Sequence, residues 1–207
     1  MKQPLGVILA GGQARRMGGG DKGLLKIGGR TILQSVIDRL APQVAGLALN
    51  VNGPAARFDG FGLTVVADSI EGFAGPLAGV LAGLDWAANE GRDAIVTAAA
   101  DTPFFPEDLV PQLLLAARQG GTSIALAATR DDAGKIWRHP TFGLWPVALR
   151  EDLRRALGGG LRKVVQWTDG HGAATALFPK QRFDPFFNVN TPADLVEAEA
   201  ILSGAEG

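Results

Sequence analysis

The sequence predicts an α/β fold built on a mostly parallel sheet, and three observations carry that expectation. Short apolar runs of strand length recur at 5–10, 46–51, 63–67, 94–100 and 123–128. Segments with helical apolar periodicity lie between them. Polar residues collect directly after the runs, at Gly11-Gly12, Asn50 to Asn52, Asp68 and Asp101, and in an open parallel sheet that is the carboxyl edge where ligands bind.

Taken in order, Leu5 to Ala10 is apolar throughout, as a strand buried on both faces must be, and it stops at a glycine pair. Residues 32–40 place apolar side chains at 32, 33, 36, 37 and 40, a single helical stripe. The runs at 46–51 and 63–67 are the next two strands, and residues 77–89 form a helix with a broader apolar face. That helix opens on Gly75-Pro76-Leu77-Ala78-Gly79, whose glycines suit either an anion at the helix start or close packing. A strand at 94–100, a helix at 109–118 and a strand at 123–128 continue the alternation. Beyond residue 129 it loosens: residues 130–138 are polar, and 139–147 reads as a strand in which Pro146 marks a sheet edge or the strand's end. Gly158-Gly159-Gly160 reads as a hinge or loop. Thr191-Pro192-Ala193-Asp194 combines a capping hydroxyl, proline at the first helical position and an acid in the first turn, so a helix follows through Leu202.

Composition narrows the function. The 207 residues are 46% apolar and 20% charged, enough to bury a core without a staple, and they read as one domain over 1–207. With no cysteine there is no disulfide scaffold, no thiolate nucleophile and no cysteine-based metal site. The two histidines, 139 and 171, are too far apart in sequence to form a zinc box. A net charge of −1 gives no general field for nucleic acid, although a local phosphate pocket remains possible. No apolar run approaches the length of a membrane span, and Leu5 to Ala10 is too short for a signal core, so the expectation is a cytoplasmic protein.

The most informative stretch follows the first strand: Leu9-Ala10-Gly11-Gly12-Gln13-Ala14-Arg15-Arg16-Met17-Gly18-Gly19-Gly20-Asp21-Lys22. Glycines let backbone N–H groups approach an anion or a base, and Arg16 and Lys22 can neutralise phosphates, which suits a nucleoside triphosphate. A solvated surface loop is the plainer reading, and its place after the first strand argues against it. Lys22 is preceded by Asp21 and followed by Gly23, so the Walker spacing and its hydroxyl are absent. Gly18, Gly20 and Gly23 satisfy G-x-G-x-x-G only formally, because they lie well past the strand and lead into no helix.

Asp101 leaves the end of a buried strand before Thr102-Pro103, where it can hold Mg²⁺ or cap a turn. Asn50, Asn52 and Asp68 can pair with a base edge or ribose, or act as ordinary turn residues. His139 suits a structural or substrate-contacting role better than base catalysis, and His171 falls in a loop. Asn188 and Asn190 alternate with apolar residues, so they project to one side together.

LAGGQARRMGGGDKG, GPLAG at 75–79, DTP at 101–103, HP at 139–140 and NVNTP at 188–192 together resemble the molybdenum cofactor guanylyltransferases, in order and spacing along nearly the whole chain. The resemblance implies a three-layer α/β/α Rossmann-like nucleotidyltransferase fold. It also implies transfer of GMP from GTP to the terminal phosphate of molybdopterin or molybdenum-molybdopterin, with release of pyrophosphate. The family's nucleotide-binding positions fall on Leu9, Ala10, Gly11, Gly12, Lys22, Asn50, Asp68 and Asp101, with Asp101 as the Mg²⁺ ligand and Arg16 as the signature arginine. Asp101, Lys22 and Arg16 are then the catalytic set, and His139, Asn188 and Asn190 the acceptor-side candidates. On this reading 1–129 is the nucleotide-binding half and 130–207 the acceptor-binding half. A molybdenum-insertion protein and recipient molybdoenzymes are the partners the family implies; nucleic acid and membrane are not among them.

Many related nucleotidyltransferases carry an aspartate where this chain has Asn190, which argues against a second strong metal ligand. Ala-Gly-Gly after Leu9, where many relatives have Ala-Ala-Gly, favours GTP over CTP. The rival readings are a CTP-dependent enzyme acting on molybdopterin, a nucleotidyltransferase for another phosphate acceptor, and a noncatalytic nucleotide-binding protein.

Overall fold

The computed structural model describes residues 2–11, 21–70, 72, 75–180 and 182–204. Nine strands alternate with six α-helices among these residues. In chain order they are β1 (Leu5–Leu9), β2 (Lys26–Ile27), β3 (Arg30–Thr31), α1 (Ile32–Leu40), β4 (Leu47–Asn50), β5 (Thr64–Val66), α2 (Pro76–Asn89), β6 (Ala94–Ala99) and α3 (Leu109–Gln119). There follow β7 (Ala125–Arg130), β8 (Ile136–Pro146), α4 (Arg150–Gly158), α5 (Val164–Gly170), β9 (Ala174–Phe178) and α6 (Pro192–Ser203).

Seven strands form the central sheet in the order β5-β4-β1-β6-β8-β7-β9. β1 pairs in parallel with β4 and β6, β4 with β5, and β7 with β9. β8 alone runs the other way, antiparallel to both β6 and β7. The five apolar runs are thus all strands of one direction, and the sixth strand expected at 139–147 is the reversed one. The edge alternative for Pro146 does not hold, because β8 lies inside the sheet. Its two prolines are accommodated locally: Pro146 is the strand's last residue, and Pro140 falls where the register jumps from Leu126 opposite Gly143 to Ala127 opposite His139. Residues 140–142 therefore bulge, and a bulge tolerates the missing N–H.

Each face of the sheet is covered by helices, giving three layers. On one face Leu33, Val36 and Leu40 of α1 lie over the part of the sheet that carries Ile8 and Val96, while Leu109, Val110 and Leu113 of α3 lie over β7 to β9, with Ala125, Ala127 and Phe178. On the other, α2, α4 and α5 contribute Leu81, Leu84, Leu153, Leu157 and Trp167 against Val7, Ile95, Leu126 and Trp145. α2 approaches closely because it carries glycine at its contacts. A Cβ at Gly83 would lie 2.8 Å from both Val7 and Ile95, and one at Gly79 would overlap Oδ1 of Asn50. Close packing thus accounts for the second glycine of the GPLAG stretch.

The α1 boundaries coincide with the sequence expectation, and Thr31 caps the helix by accepting from the Gln34 N–H at 3.1 Å. Immediately before it, β2 and β3 form a hairpin turned by Gly28 and Gly29, both at positive φ, as a tight two-residue turn requires. A small cluster of Ile27, Ile32, Val189 and Ala198 seats α6 on this hairpin. The far end of the chain is thereby returned to the segment that carries Lys22.

Candidate active site

β1, β4, β5 and β6 end on the same edge of the sheet, and the backbone ladder continues past them. The Ala10 N–H donates to Asn50 O at 2.9 Å, and the Ala100 N–H donates to Leu9 O at 3.1 Å. Leu9, Ala10, Ala100 and Asp101 consequently line one cleft, together with Asp21, Lys22, Gly23, Leu33 and Phe58. Lys22 opens a 3-10 turn that presses against Ala100, where a Cβ at Gly23 would stand 3.4 Å from the Ala100 carbonyl oxygen. That contact sets the lysine beside the end of β6.

Lys22 Nζ lies 3.5 Å from Asp101 Oδ2 and donates a short hydrogen bond to Asn190 Oδ1. The Thr102 hydroxyl donates to Asn188 Oδ1 and sits 3.4 Å from Asp101 Oδ1. Between the two asparagines, the Val189 N–H donates to the Asp101 carbonyl at 2.8 Å. Asn188 and Asn190 do face one side together, and that side is the Lys22–Asp101 cluster. A capping box fixes the segment: Asp194 Oδ2 accepts from the N–H groups of Asn190 and Thr191, both at 2.8 Å, and Thr191 Oγ1 accepts from the Asp194 N–H at 3.2 Å. The Asn190 and Thr191 N–H donors hold the Asp194 carboxyl below the usual carboxylate range.

A second cluster stands at the ends of β4 and β5. Asn50 Nδ2 donates to Asp68 Oδ1 at 2.9 Å and to Val66 O at 3.2 Å. Asn52 Nδ2 donates to Asp68 Oδ2 at 2.7 Å, and its Oδ1 accepts from the Asp68 N–H at 3.2 Å. Asn50 is buried and both its amide hydrogens are occupied, so it supports Asp68 from behind. The chain after Asp68 is also anchored, because the Ser69 hydroxyl donates to Asp85 Oδ2 at 2.5 Å and Arg154 Nη2 donates to Asp85 Oδ1 at 2.6 Å. Gly11 is exposed beside this cluster, where a Cβ would lie 3.7 Å from Asn52 Nδ2. Gly12 and Arg16 lie outside the described residues.

His139 is placed apart from both clusters. Its ring stacks on Phe186 with centroids 4.2 Å apart, and Nε2 lies 3.0 Å from the Thr129 hydroxyl. Burial pushes its pKa below the ordinary histidine value, against the opposing pull of Asp184. His171, read as loop, follows α5, and its Nε2 lies 2.9 Å from Asp152 Oδ1. Sequence reasoning singled out neither Asp21 as a cleft residue nor Arg57, which pairs with it. Thr102 was visible only as part of DTP.

Among the described residues no group of three or more His, Asp or Glu side chains could cage a metal. Asp101 nevertheless suits Mg²⁺, which is commonly held by one or two carboxylates together with substrate phosphates and water. Its side chain is 24% exposed at the mouth of the cleft, and its neighbours at 3.4 and 3.5 Å leave lone pairs open to a hard cation. No helix among the described residues is long and apolar enough to cross a membrane.

Comparison with known proteins agrees with this architecture. Residues 6–174 match the family model described as the MobA-like NTP transferase domain. A molybdenum cofactor guanylyltransferase of Bradyrhizobium sp. (strain ORS 278) is 53% identical over 201 residues, covering 96% of this chain and 92% of that protein. One from Rhodopseudomonas palustris (strain BisB5) is 55% identical over 198 residues, covering 94% and 92%. Among solved structures, molybdopterin-guanine dinucleotide biosynthesis protein A from Archaeoglobus fulgidus superposes with a TM-score of 0.72 at 23% identity, covering 97% of this chain and 99% of that one, a likeness of fold. With half its residues shared with such relatives over nearly its full length, the chain belongs to the molybdenum cofactor guanylyltransferases, nucleotidyltransferase enzymes of the MobA-like family.

Proposed function

We propose that this protein transfers GMP from GTP to the terminal phosphate of molybdopterin, with or without molybdenum, and releases pyrophosphate. The observation that carries the reading is the convergence of Lys22 and Asp101 from distant segments on one cleft at the carboxyl edge of the sheet, with Asn190 bonded to Lys22. Such a cleft supplies a fixed cation and a carboxylate where a triphosphate would lie.

The chemistry asks little of the protein beyond placement and charge. An oxygen of the acceptor phosphate attacks the α-phosphorus in line, the bond from that phosphorus to the bridging oxygen breaks, and pyrophosphate leaves with the electron pair. A phosphate monoester has a second pKa of about 6, so the attacking oxygen is already largely deprotonated near neutral pH and no general base is needed. The location of His139 outside the cleft is consistent with that economy. Lys22, held by Asp101 and Asn190, offsets phosphate charge on the substrate. Asp101 would hold Mg²⁺, which when bound supplies charge neutralisation across the phosphates. Arg16 would add a second cation.

Base choice is assigned to the backbone of Leu9 to Gly12 and to Asp68, whose position Asn50 and Asn52 fix. A wrong base would leave buried partners unpaired at a cost of about 1–3 kcal/mol each. Residues 1–129 then serve the nucleotide and 130–207 the acceptor, with Asn188 and Asn190 at the junction. We place the reaction in the cytoplasm, ahead of delivery to recipient molybdoenzymes. The test is pyrophosphate release with Mg²⁺ and molybdopterin, comparing GTP, CTP and ATP. Release that needs the pterin and prefers GTP is expected. A preference for CTP would reassign the base, and binding without release would favour a noncatalytic role.

A further inference from the structure

The cleft contains a carboxylate that the proposed reaction does not use. Asp21 lines it next to Lys22, with its side chain only 17% exposed, and a negative charge there opposes a triphosphate. Its ion-pair partner is Arg57, in the 3-10 segment Ala55–Phe61, which sequence reasoning left unread.

Arg57 makes more contacts than an ordinary surface arginine. Besides the ion pair to Asp21 Oδ2, its Nη2 donates to Asp21 Oδ1 at 3.3 Å and to the Asn52 carbonyl at 3.2 Å. Nη1 donates to the Pro54 carbonyl, and the guanidinium lies 4.8 Å from the centroid of Phe58, itself a cleft residue. One planar fork therefore spans the two clusters. On one side is the turn that carries Lys22; on the other is Asn52, which holds Asp68. A lysine could supply the charge but not the several bonds.

We infer that Arg57 is a positioning residue of the nucleotide site, which neutralises Asp21 beside Lys22 so that the cleft accepts a triphosphate. The inference rests on the reading that this cleft binds GTP. Arg57 touches no reacting atom, so its loss acts on binding and leaves the chemical step largely intact.

The experiment measures KM and kcat for GTP, direct GTP binding and melting temperature for the wild type, R57Q, R57K and the double variant R57Q/D21N. R57Q, which leaves Asp21 uncompensated, is expected to raise KM and the dissociation constant about tenfold while kcat changes less than about threefold. R57K should fall between R57Q and the wild type. Removing the carboxylate in the double variant should return KM to within about threefold of the wild type, which a purely structural arginine would not allow. If R57Q folds too poorly to assay, the double variant decides by the same threefold limit against the wild type. Wild-type KM in folded R57Q, or a double variant nearer to R57Q than to the wild type, overturns the inference. Wild-type protein that neither binds GTP nor releases pyrophosphate from it overturns the underlying reading, and this one with it, before any variant is compared.

Discussion

Two aspartates stand at strand ends on the same edge of the sheet, and their surroundings give them opposite characters. Asp68 has an amide donor on each oxygen, at 2.9 and 2.7 Å, and its own N–H is held by Asn52. Asp101 has an ammonium at 3.5 Å and a hydroxyl at 3.4 Å. The first is a rigid acceptor built by neutral groups; the second faces charge and retains coordination capacity. Similar positions in the topology thus hold one carboxylate fixed on both oxygens and one beside a cation, and the difference lies in what the adjoining segments bring to each.

Removing the electrostatic member should have the largest effect. Asp101→Ala is expected to lower turnover at saturating Mg²⁺ at least about 10²-fold, as loss of a single oxyanion donor does elsewhere. Steady-state pyrophosphate release checks it, and near-normal turnover would erase the contrast. Lys22→Ala should follow, lowering kcat/KM for GTP about tenfold or more, since charge-assisted bonds are worth about 1.5–3 kcal/mol. Asp68→Ala should instead leave the Asn50 and Asn52 amides without their acceptor, costing about 1–3 kcal/mol of stability and narrowing the preference for GTP over ATP. Denaturant unfolding and paired nucleotide assays separate the two consequences. Gly79→Ala probes the same cluster from behind: the added methyl would collide with Asn50, and overpacking of this kind costs about 1–3 kcal/mol. A change in base preference that accompanies the lower melting temperature would show that Asn50 transmits the strain to Asp68.

The smallest effect concerns a group outside both clusters. His139 has a lowered pKa in the folded protein because burial disfavours its charged form, with Asp184 opposing and Lys180 reinforcing the shift. The unfolded chain therefore binds the proton more readily. The stability this histidine contributes is full above its unfolded pKa of about 6.5 and is lost as pH falls through the lower folded value. His139→Gln should flatten that part of the stability profile, measured by denaturant titration at several pH values, and should leave GTP affinity unchanged.

Legibility in the sequence differed between these regions for physical reasons. α1 was readable to the residue because one apolar stripe runs its whole length, and the start of α6 because its capping box lies within four residues. α4 buries only Leu153 and Leu157 beneath a charged surface, and β2 and β3 are two residues each, too short for any period to register. The strand ends announced Asp68 and Asp101, since the parallel topology makes that edge conspicuous. The pairing of Lys22 with Asn190 spans 168 positions and depends on α6 docking against the β2–β3 hairpin. Spacing alone carries no trace of that pairing; the alternation at 188–190 showed only that Asn188 and Asn190 project to one side together. Arg57 had neither motif nor periodicity to mark it, and its significance emerges only from the two clusters it joins.

The most direct test of the central claim follows the α-phosphate itself. With GTP labelled at the α-phosphorus, Mg²⁺ and molybdopterin, label should move into the pterin product in wild-type protein, move at least about 10²-fold more slowly in Asp101→Ala, and move poorly from labelled CTP or ATP. Label that remains in free nucleotide, or that transfers equally well without Asp101, would contradict it.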